Sequence, residues 1–329
     1  MKVVFPITRM RRLRQPNLLP LFQEHALRKE QIIAPIFIDE TIDEPKPVSS
    51  MPGVYRYTVD GAATHAAELH KKGIRGVLLF GIPYQKSDTA DAAFASEGVV
   101  QRSISAIRDM VPNIVICTDV CACEYTTHGH CGIVGDRRKR RDVINDPSLD
   151  LMEAIAVSHA RAGADIVAPS CMLDGVVAHV RLSLDEAGFE DTLIMSYSTK
   201  FASALYGPFR EAADSGYIFG DRTTYQLNPA NGREAFRESV LDAEEGADIL
   251  MVKPAGMYLD VLTSLTQLGL PLAAYQVSGE YAMIKAAAER GWIKEREVVL
   301  ESLLCLKRAG ADLIITYFAN EVAGWLDEK

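Results

Sequence analysis

Gly246-Ala247-Asp248-Ile249-Leu250-Met251-Val252-Lys253-Pro254 contains the unit from which most of the chain is built. A glycine closing a helical pattern fits the left-handed conformation of a helix C-terminus. The continuous apolar run that follows suits a strand buried on both faces, and proline ends it. The same Gly-Ala-Asp turn stands at Gly163-Ala164-Asp165, before Ile166 to Ser170, and at Gly310-Ala311-Asp312, before Leu313 to Phe318. Working outward, similar short runs occur at Ile32 to Ile38, Val77 to Gly81, Ile114 to Val120, Leu193 to Thr199 and Leu272 to Ser278. Helical patterns lie between them, such as Ala62 to Lys72, Leu149 to Ala162, Arg233 to Glu245 and Val298 to Ala309. Eight strands alternating with helices predict an α/β fold, a (β/α)8 TIM barrel. A doubly wound open sheet is the alternative, but no Gly-rich dinucleotide fingerprint accompanies the runs.

The chain has 329 residues, 48% hydrophobic and 24% charged, enough to bury a large core. No apolar run has the length of a membrane span. The net charge of −9 argues against a general nucleic-acid surface, although Arg9 to Arg14 and Arg137 to Arg141 form basic clusters. There is no secretory pattern, and six cysteines is a cytosolic usage rather than a disulfide framework, so a cytoplasmic location is expected. Residues 1–30 lack a strand period and mix arginines and prolines with scattered leucines. They read as an extended N-terminal arm for a partner subunit, ahead of a barrel domain at 31–329.

Three cysteines crowd one loop. Asp119-Val-Cys121-Ala-Cys123-Glu-Tyr-Thr-Thr-His128-Gly-His130-Cys131 follows a strand run, and three thiolates this close make a metal site with zinc as the default ion. Three protein ligands leave a fourth position open for water or substrate. A closed structural site, with His128 or His130 as fourth ligand, is the alternative.

In a barrel of this kind chemistry sits where strands end and loops begin. Those positions hold Asp119, Ser170, Lys200, Lys253, Ser278 and Tyr317. One lysine at a strand end is commonly an ammonium reaching out to water. Two lysines in one mouth with a metal loop predict lowered pKa values, neutral amines and Schiff-base formation with a carbonyl substrate. The long segment after Lys200 brings Arg210 and Arg222 into the same loop, where they can clamp a carboxylate or pair on the surface with Glu211, Asp214 or Asp221. An anionic ketone is the expected substrate.

These motifs resemble the porphobilinogen synthase family, also called 5-aminolevulinate dehydratase. The resemblance rests on Asp119 to Gly132, Met195 to Arg210, Gly220-Asp221-Arg222, Met251 to Gly256 and Ala274 to Tyr281, and covers essentially the whole chain. It implies the condensation of two 5-aminolevulinate molecules to porphobilinogen, with loss of two waters, in tetrapyrrole (heme) biosynthesis. It implies a homo-octamer whose arms wrap neighbouring subunits. By motif, Lys253 matches the Schiff-base lysine for the first substrate and Lys200 that for the second. Ser278 and Tyr317 match the groups binding the first carboxylate, and Arg210 and Arg222, with Gln226 close by, those binding the second. Cys121, Cys123 and Cys131 match the zinc ligands of the cysteine-rich branch. Asp119, beside the cysteines, is a candidate for proton transfer, for orienting the substrate amine or for supporting the metal ligands, and Glu238 falls where some members bind an allosteric Mg²⁺. Some zinc members carry a further cysteine in the Gly-Asp-Arg loop, where this chain has Thr224.

Two other readings compete. A Schiff-base aldolase needs one lysine and no thiolate loop, and a zinc-stabilised nucleic-acid-binding protein would use Arg137 to Arg141 against the net acidity.

Overall fold

The computed structural model describes residues 9–137 and 140–328. Eight parallel strands follow in chain order: Ile32–Asp39, Gly76–Ile82, Val115–Val120, Ile166–Pro169, Leu193–Lys200, Ile249–Lys253, Leu272–Gln276 and Leu313–Thr316. Each pairs with the next, and the first pairs with the eighth, Ile32 opposite Ile314 and Ile33 opposite Ile315, so the sheet closes. This is the (β/α)8 barrel, not the open sheet. All seven residues of the second strand are buried, as its unbroken apolar run requires. Three strands end earlier than their runs: at Pro169, Gln276 and Thr316. Ser170, Ser278 and Tyr317 therefore stand just beyond strand ends, at the mouth.

The Gly-Ala-Asp repeat has a structural role in every copy. Gly163, Gly246 and Gly310 have φ of 107°, 104° and 114°, which a side chain would strain. The glycine and alanine N–H groups donate to the last helical carbonyls, as in Gly163 N to Ala160 O at 2.9 Å and Ala164 N to His159 O at 3.1 Å. Each aspartate then caps the preceding strand. Asp165 Oδ2 accepts Ile116 N at 2.8 Å, Asp248 Oδ2 accepts Ile194 N at 2.7 Å, and Asp312 Oδ2 accepts Leu272 N at 2.9 Å. One tripeptide thus ends a helix and anchors the neighbouring strand at the floor of the barrel.

Two insertions decorate the mouth. Tyr55–Tyr57 pairs antiparallel with Lys46–Pro47 and parallel with the end of the first strand, Arg56 opposite Phe37. After the cysteine loop, Val134–Arg137 and Arg140–Val143 form a hairpin. Of the basic run, Arg137, Arg140 and Arg141 belong to these strands, and Arg138 and Lys139 lie outside the described residues. Arg140 pairs with Asp142 at 3.2 Å, and Arg141 lies 4.7 Å from the ring centroid of Phe219. The described part of residues 1–30 consists of short 3-10 turns without a buried residue. Among the described residues no helix is long and apolar enough to cross a membrane.

Candidate active site

Lys200 and Lys253 are register partners at the ends of the fifth and sixth strands. A bulge puts them level. Between the pairs Leu250–Ser196 and Val252–Thr199 the fifth strand advances three residues and the sixth only two. Both side chains are buried, with 5% and 3% of their surface exposed, so neither is a lysine reaching for water. Their amines share the ring of Tyr197, Lys200 Nζ 5.3 Å and Lys253 Nζ 4.8 Å from its centroid.

The two amines differ in surroundings. Lys253 Nζ lies 4.2 Å from the centroid of Tyr275 and 4.9 Å from that of Phe209. Burial among these rings, and then the like charge of Lys200, bring its pKa down to about 7. A neutral amine is therefore accessible near neutral pH. Lys200 has thiol and carboxyl neighbours that oppose such a lowering. Burial works against its charge, but Cys131, Cys121 and Asp119 outweigh it and raise the pKa. Lys200 Nζ donates to Ser170 O at 2.5 Å, which fixes the amine beside the cysteine loop.

Cys121, Cys123 and Cys131 are buried, and their three sulfurs lie within 4.8 Å of one another. Cys121 and Cys123 are in contact at 3.3 Å. Hydrogen bonds from both hold the Cys131 thiol well below its ordinary range. A thiolate among close, buried sulfurs is the donor set a soft divalent ion takes. Neither histidine completes a closed site. Among the described residues no histidine nitrogen joins the three sulfurs: His130 Nδ1 meets Tyr225 Oη at 3.0 Å and Nε2 meets Phe219 O at 3.0 Å, while His128 Nδ1 accepts His130 N at 3.1 Å and its Nε2 is buried without a partner.

Two carboxyls border the sulfurs. Asp119 and Glu124 come within 4.8 Å of Cys121. Asp119 Oδ2 accepts the Ser170 hydroxyl at 3.2 Å, its Oδ1 is buried without a partner, and burial raises its pKa against the pull of Lys200 and Lys253. Glu124 is a residue that sequence reasoning missed. Burial and the Asp119 charge push it up to about 7, and Cys123 Sγ lies 3.3 Å from its Oε2. A lone Glu between a cysteine and a tyrosine gives no signal of its own in the sequence. The aromatic wall of Phe80, Tyr197 and Tyr275 on the strands and Phe209 on the helix after the fifth strand was likewise not singled out.

The segment after Lys200 covers the mouth. Ala204–Tyr206 is a 3-10 turn, and Gly207–Ala212 a short helix with Pro208 in its first turn. Phe209 N donates to Ser278 Oγ at 3.0 Å, and Ser278 Oγ donates to Leu205 O at 3.2 Å. Tyr317 Oη meets Tyr275 Oη at 3.0 Å. The far end rests on the cysteine loop: Ile218 N donates to His128 O at 3.2 Å, and Arg222 Nη2 to Gly129 O at 2.9 Å and Ser215 O at 3.0 Å. Four buried side-chain donors of this segment have no acceptor: Arg210 Nε, Ser215 Oγ, Arg222 Nε and Gln226 Nε2. Unmet buried donors are costly, and an entering carboxylate would satisfy them. Glu238 shares a cavity with Gln226 and Tyr225. It lies on the helix Gly232–Glu244, and the cavity, of about 270 Å³, is also lined by Asn145, Asp174 and Glu234.

The family model described as Delta-aminolevulinic acid dehydratase matches residues 7–325. A delta-aminolevulinic acid dehydratase of Archaeoglobus fulgidus is 52% identical over 320 residues, covering 97% of this chain and 98% of the relative. One of Bacillus subtilis is 50% identical over 322 residues, covering 97% and 98%. Among solved structures, the delta-aminolevulinic acid dehydratase (porphobilinogen synthase) of Toxoplasma gondii, in complex with the reaction product porphobilinogen, superposes with a TM-score of 0.94. It is 42% identical and covers 98% of this chain and 92% of its own.

Proposed function

The chain belongs to the delta-aminolevulinic acid dehydratase family, and on that premise we propose that it condenses two molecules of 5-aminolevulinate to porphobilinogen with loss of two waters. It is a lyase of tetrapyrrole (heme) biosynthesis acting on a small molecule. The observation that carries the reading is the level pair Lys200 and Lys253, buried in one mouth with a three-sulfur cluster. Incubation with 5-aminolevulinate and colorimetric detection of a pyrrole tests it. Pyrrole formation supports the reading, and none under metal-replete conditions removes it.

Lys253, whose pKa burial lowers to about 7, attacks the ketone of the first substrate as the neutral amine. Its nitrogen forms the C=N bond, the ketone oxygen leaves as water, and the protonated imine draws electrons from the adjacent carbon. Lys200, whose ammonium must first give up a proton, forms the corresponding imine with the second substrate. Arg210, Arg222 and Gln226 hold the second carboxylate, which their unmet donors support. Ser278 and Tyr317 hold the first, and Ser278, opening the helix Ser278–Glu289, adds the positive end of that helix. Asp119 is the proton carrier, supported by its raised pKa and free Oδ1. Holding both substrates under one lid replaces a bimolecular encounter by a fixed geometry.

Cys121, Cys123 and Cys131 would hold zinc, which when bound supplies Lewis acidity for a carbonyl oxygen or water. Glu238 is the proposed ligand of a regulatory Mg²⁺. Its carboxyl is raised by burial and by Asp174, Glu234 and Glu245, an acidic neighbourhood that a cation would relieve. The assembly proposed is a cytoplasmic homo-octamer in which the arm of residues 1–30 packs on a neighbouring barrel domain. Leu13, Leu19, Leu21 and Phe22, exposed by 41%, 51%, 76% and 54%, are the apolar groups that such packing would cover.

A further inference from the structure

The lid is held from the side by polar contacts that the chemistry beneath it does not explain, and Arg56 is at their centre. Arg56 Nη1 donates to Asp39 Oδ2 at 3.0 Å, at the end of the first barrel strand. The Asp39 side chain is fully buried, and its other oxygen accepts Thr41 N at 2.9 Å and Thr41 Oγ1 at 2.7 Å. Arg56 Nη2 donates to the carbonyl oxygen of Glu211, in the lid helix Gly207–Ala212. The backbone of Arg56 is itself fixed, because Tyr55–Tyr57 pairs with the first strand. One prong of the guanidinium is thus locked on a buried carboxylate, which aims the other prong at the lid backbone.

Two neighbours act in the same direction. Ser49 donates its N–H at 3.2 Å and its hydroxyl to Glu211 Oε1. Lys86, beyond the second strand, donates to Asp214 O at 2.5 Å and Asp214 Oδ2 at 2.7 Å. Asp214 has a φ of 47°, a conformation that a non-glycine residue holds only where its surroundings fix it.

We propose that Arg56 is a positioning residue for the reaction: by bridging Asp39 and the Glu211 carbonyl it latches the lid helix to the barrel, and so sets Phe209 against Lys253 and Arg210 over the mouth. The bridge needs a planar fork with two separate donors, which a lysine's single ammonium does not supply. The inference rests on the substrate reading given above, but its physical core is lid docking, which is measurable without substrate.

Arg56→Ala, Arg56→Gln and Arg56→Lys are compared by steady-state kinetics with 5-aminolevulinate and by hydrogen exchange without it. All three variants are expected to raise KM about tenfold while kcat stays within about threefold, the pattern of lost binding rather than lost chemistry. Lid peptides spanning 204–216 should exchange about tenfold faster, with first-strand peptides keeping their protection. Unchanged lid exchange overturns the proposal, as does full retention of KM in Arg56→Lys. So does failure of all three variants to fold, or equal loss of protection in the first strand, either of which would assign Arg56 to the scaffold. The exchange arm separates a wrong latch from a wrong substrate: accelerated lid exchange in a protein that forms no pyrrole keeps the latch and removes the substrate reading.

Discussion

Lys253 stands level with Lys200 because the fifth strand carries one residue more than the sixth between their last shared pairs. In regular pairing Lys253 would face Thr199. The extra residue sets the two amines around one tyrosine ring, close enough for the charge on Lys200 to count among the causes that lower Lys253. The resemblance assigns the two lysines different substrates, and their surroundings differ to match: aromatic for Lys253, thiolate and carboxylate for Lys200.

The pH dependence follows from Lys253. Its pKa in the folded protein lies near 7, below the ordinary value of 10.5, so the reactive amine gains population as pH rises through 7. Imine formation with 5-aminolevulinate should fall about tenfold per pH unit on the acid side of that value. Lys200→Ala removes a like charge and should move this limb to higher pH. Borohydride trapping rates across pH 5 to 9 check both, with pH values chosen to bracket the limb at about 7.

The arginines are tested by truncation. Arg210→Ala or Arg222→Ala should cost about 2–5 kcal/mol of transition-state binding if each meets a desolvated carboxylate. Steady-state kcat/KM for each variant measures this, and unchanged values would place the arginines outside the site.

Gly129→Ala separates lid closure from barrel folding. Gly129 has a φ of 70°, and a Cβ there would come 2.2 Å from the carbonyl oxygen of Gly216 in the lid. The left-handed conformation adds about 1–2 kcal/mol for an alanine. Activity should fall by an order of magnitude or more while the circular dichroism spectrum is kept, because the clash is with the lid and not with the barrel. Wild-type turnover in this variant would show that the lid need not seat on the cysteine loop.

The barrel was legible in the sequence because each strand is a short unbroken apolar run and three of the intervening turns share one tripeptide. The runs overshot at Ser170, Ser278 and Phe318, where buried loop residues extend the apolar pattern past the last ladder bond. Asp119, the three cysteines and both lysines were readable as chemistry-bearing types at strand ends, and the structure brings them together. The bulge was not readable, since register is a pairing property and Tyr197-Ser198-Thr199 carries no glycine to mark it. For Lys200 the thiolate charges of Cys131 and Cys121 oppose the lowering expected beside a bound cation, and their placement depends on folded geometry. Glu124 and Arg56 were invisible for a similar reason: each is an ordinary charged residue until its neighbours are known.

Metal removal tests the cysteine cluster. The three sulfurs lie in a loop at the mouth, whereas the barrel is closed by its own strand ladder. Chelation should abolish turnover, leave the helical circular dichroism signal largely intact, and be reversed by zinc. Cys131→Ala should lower the zinc content of the purified protein. Global unfolding on chelation would identify a structural metal instead.

The most direct test of the two-lysine account is borohydride reduction in the presence of 5-aminolevulinate, followed by mass spectrometry of the peptides. The account predicts a covalent adduct on Lys253 that persists in Lys200→Ala, its loss in Lys253→Ala, and no pyrrole from either variant. Porphobilinogen formed at an undiminished rate by Lys253→Ala, or adducts confined to surface lysines, would contradict it.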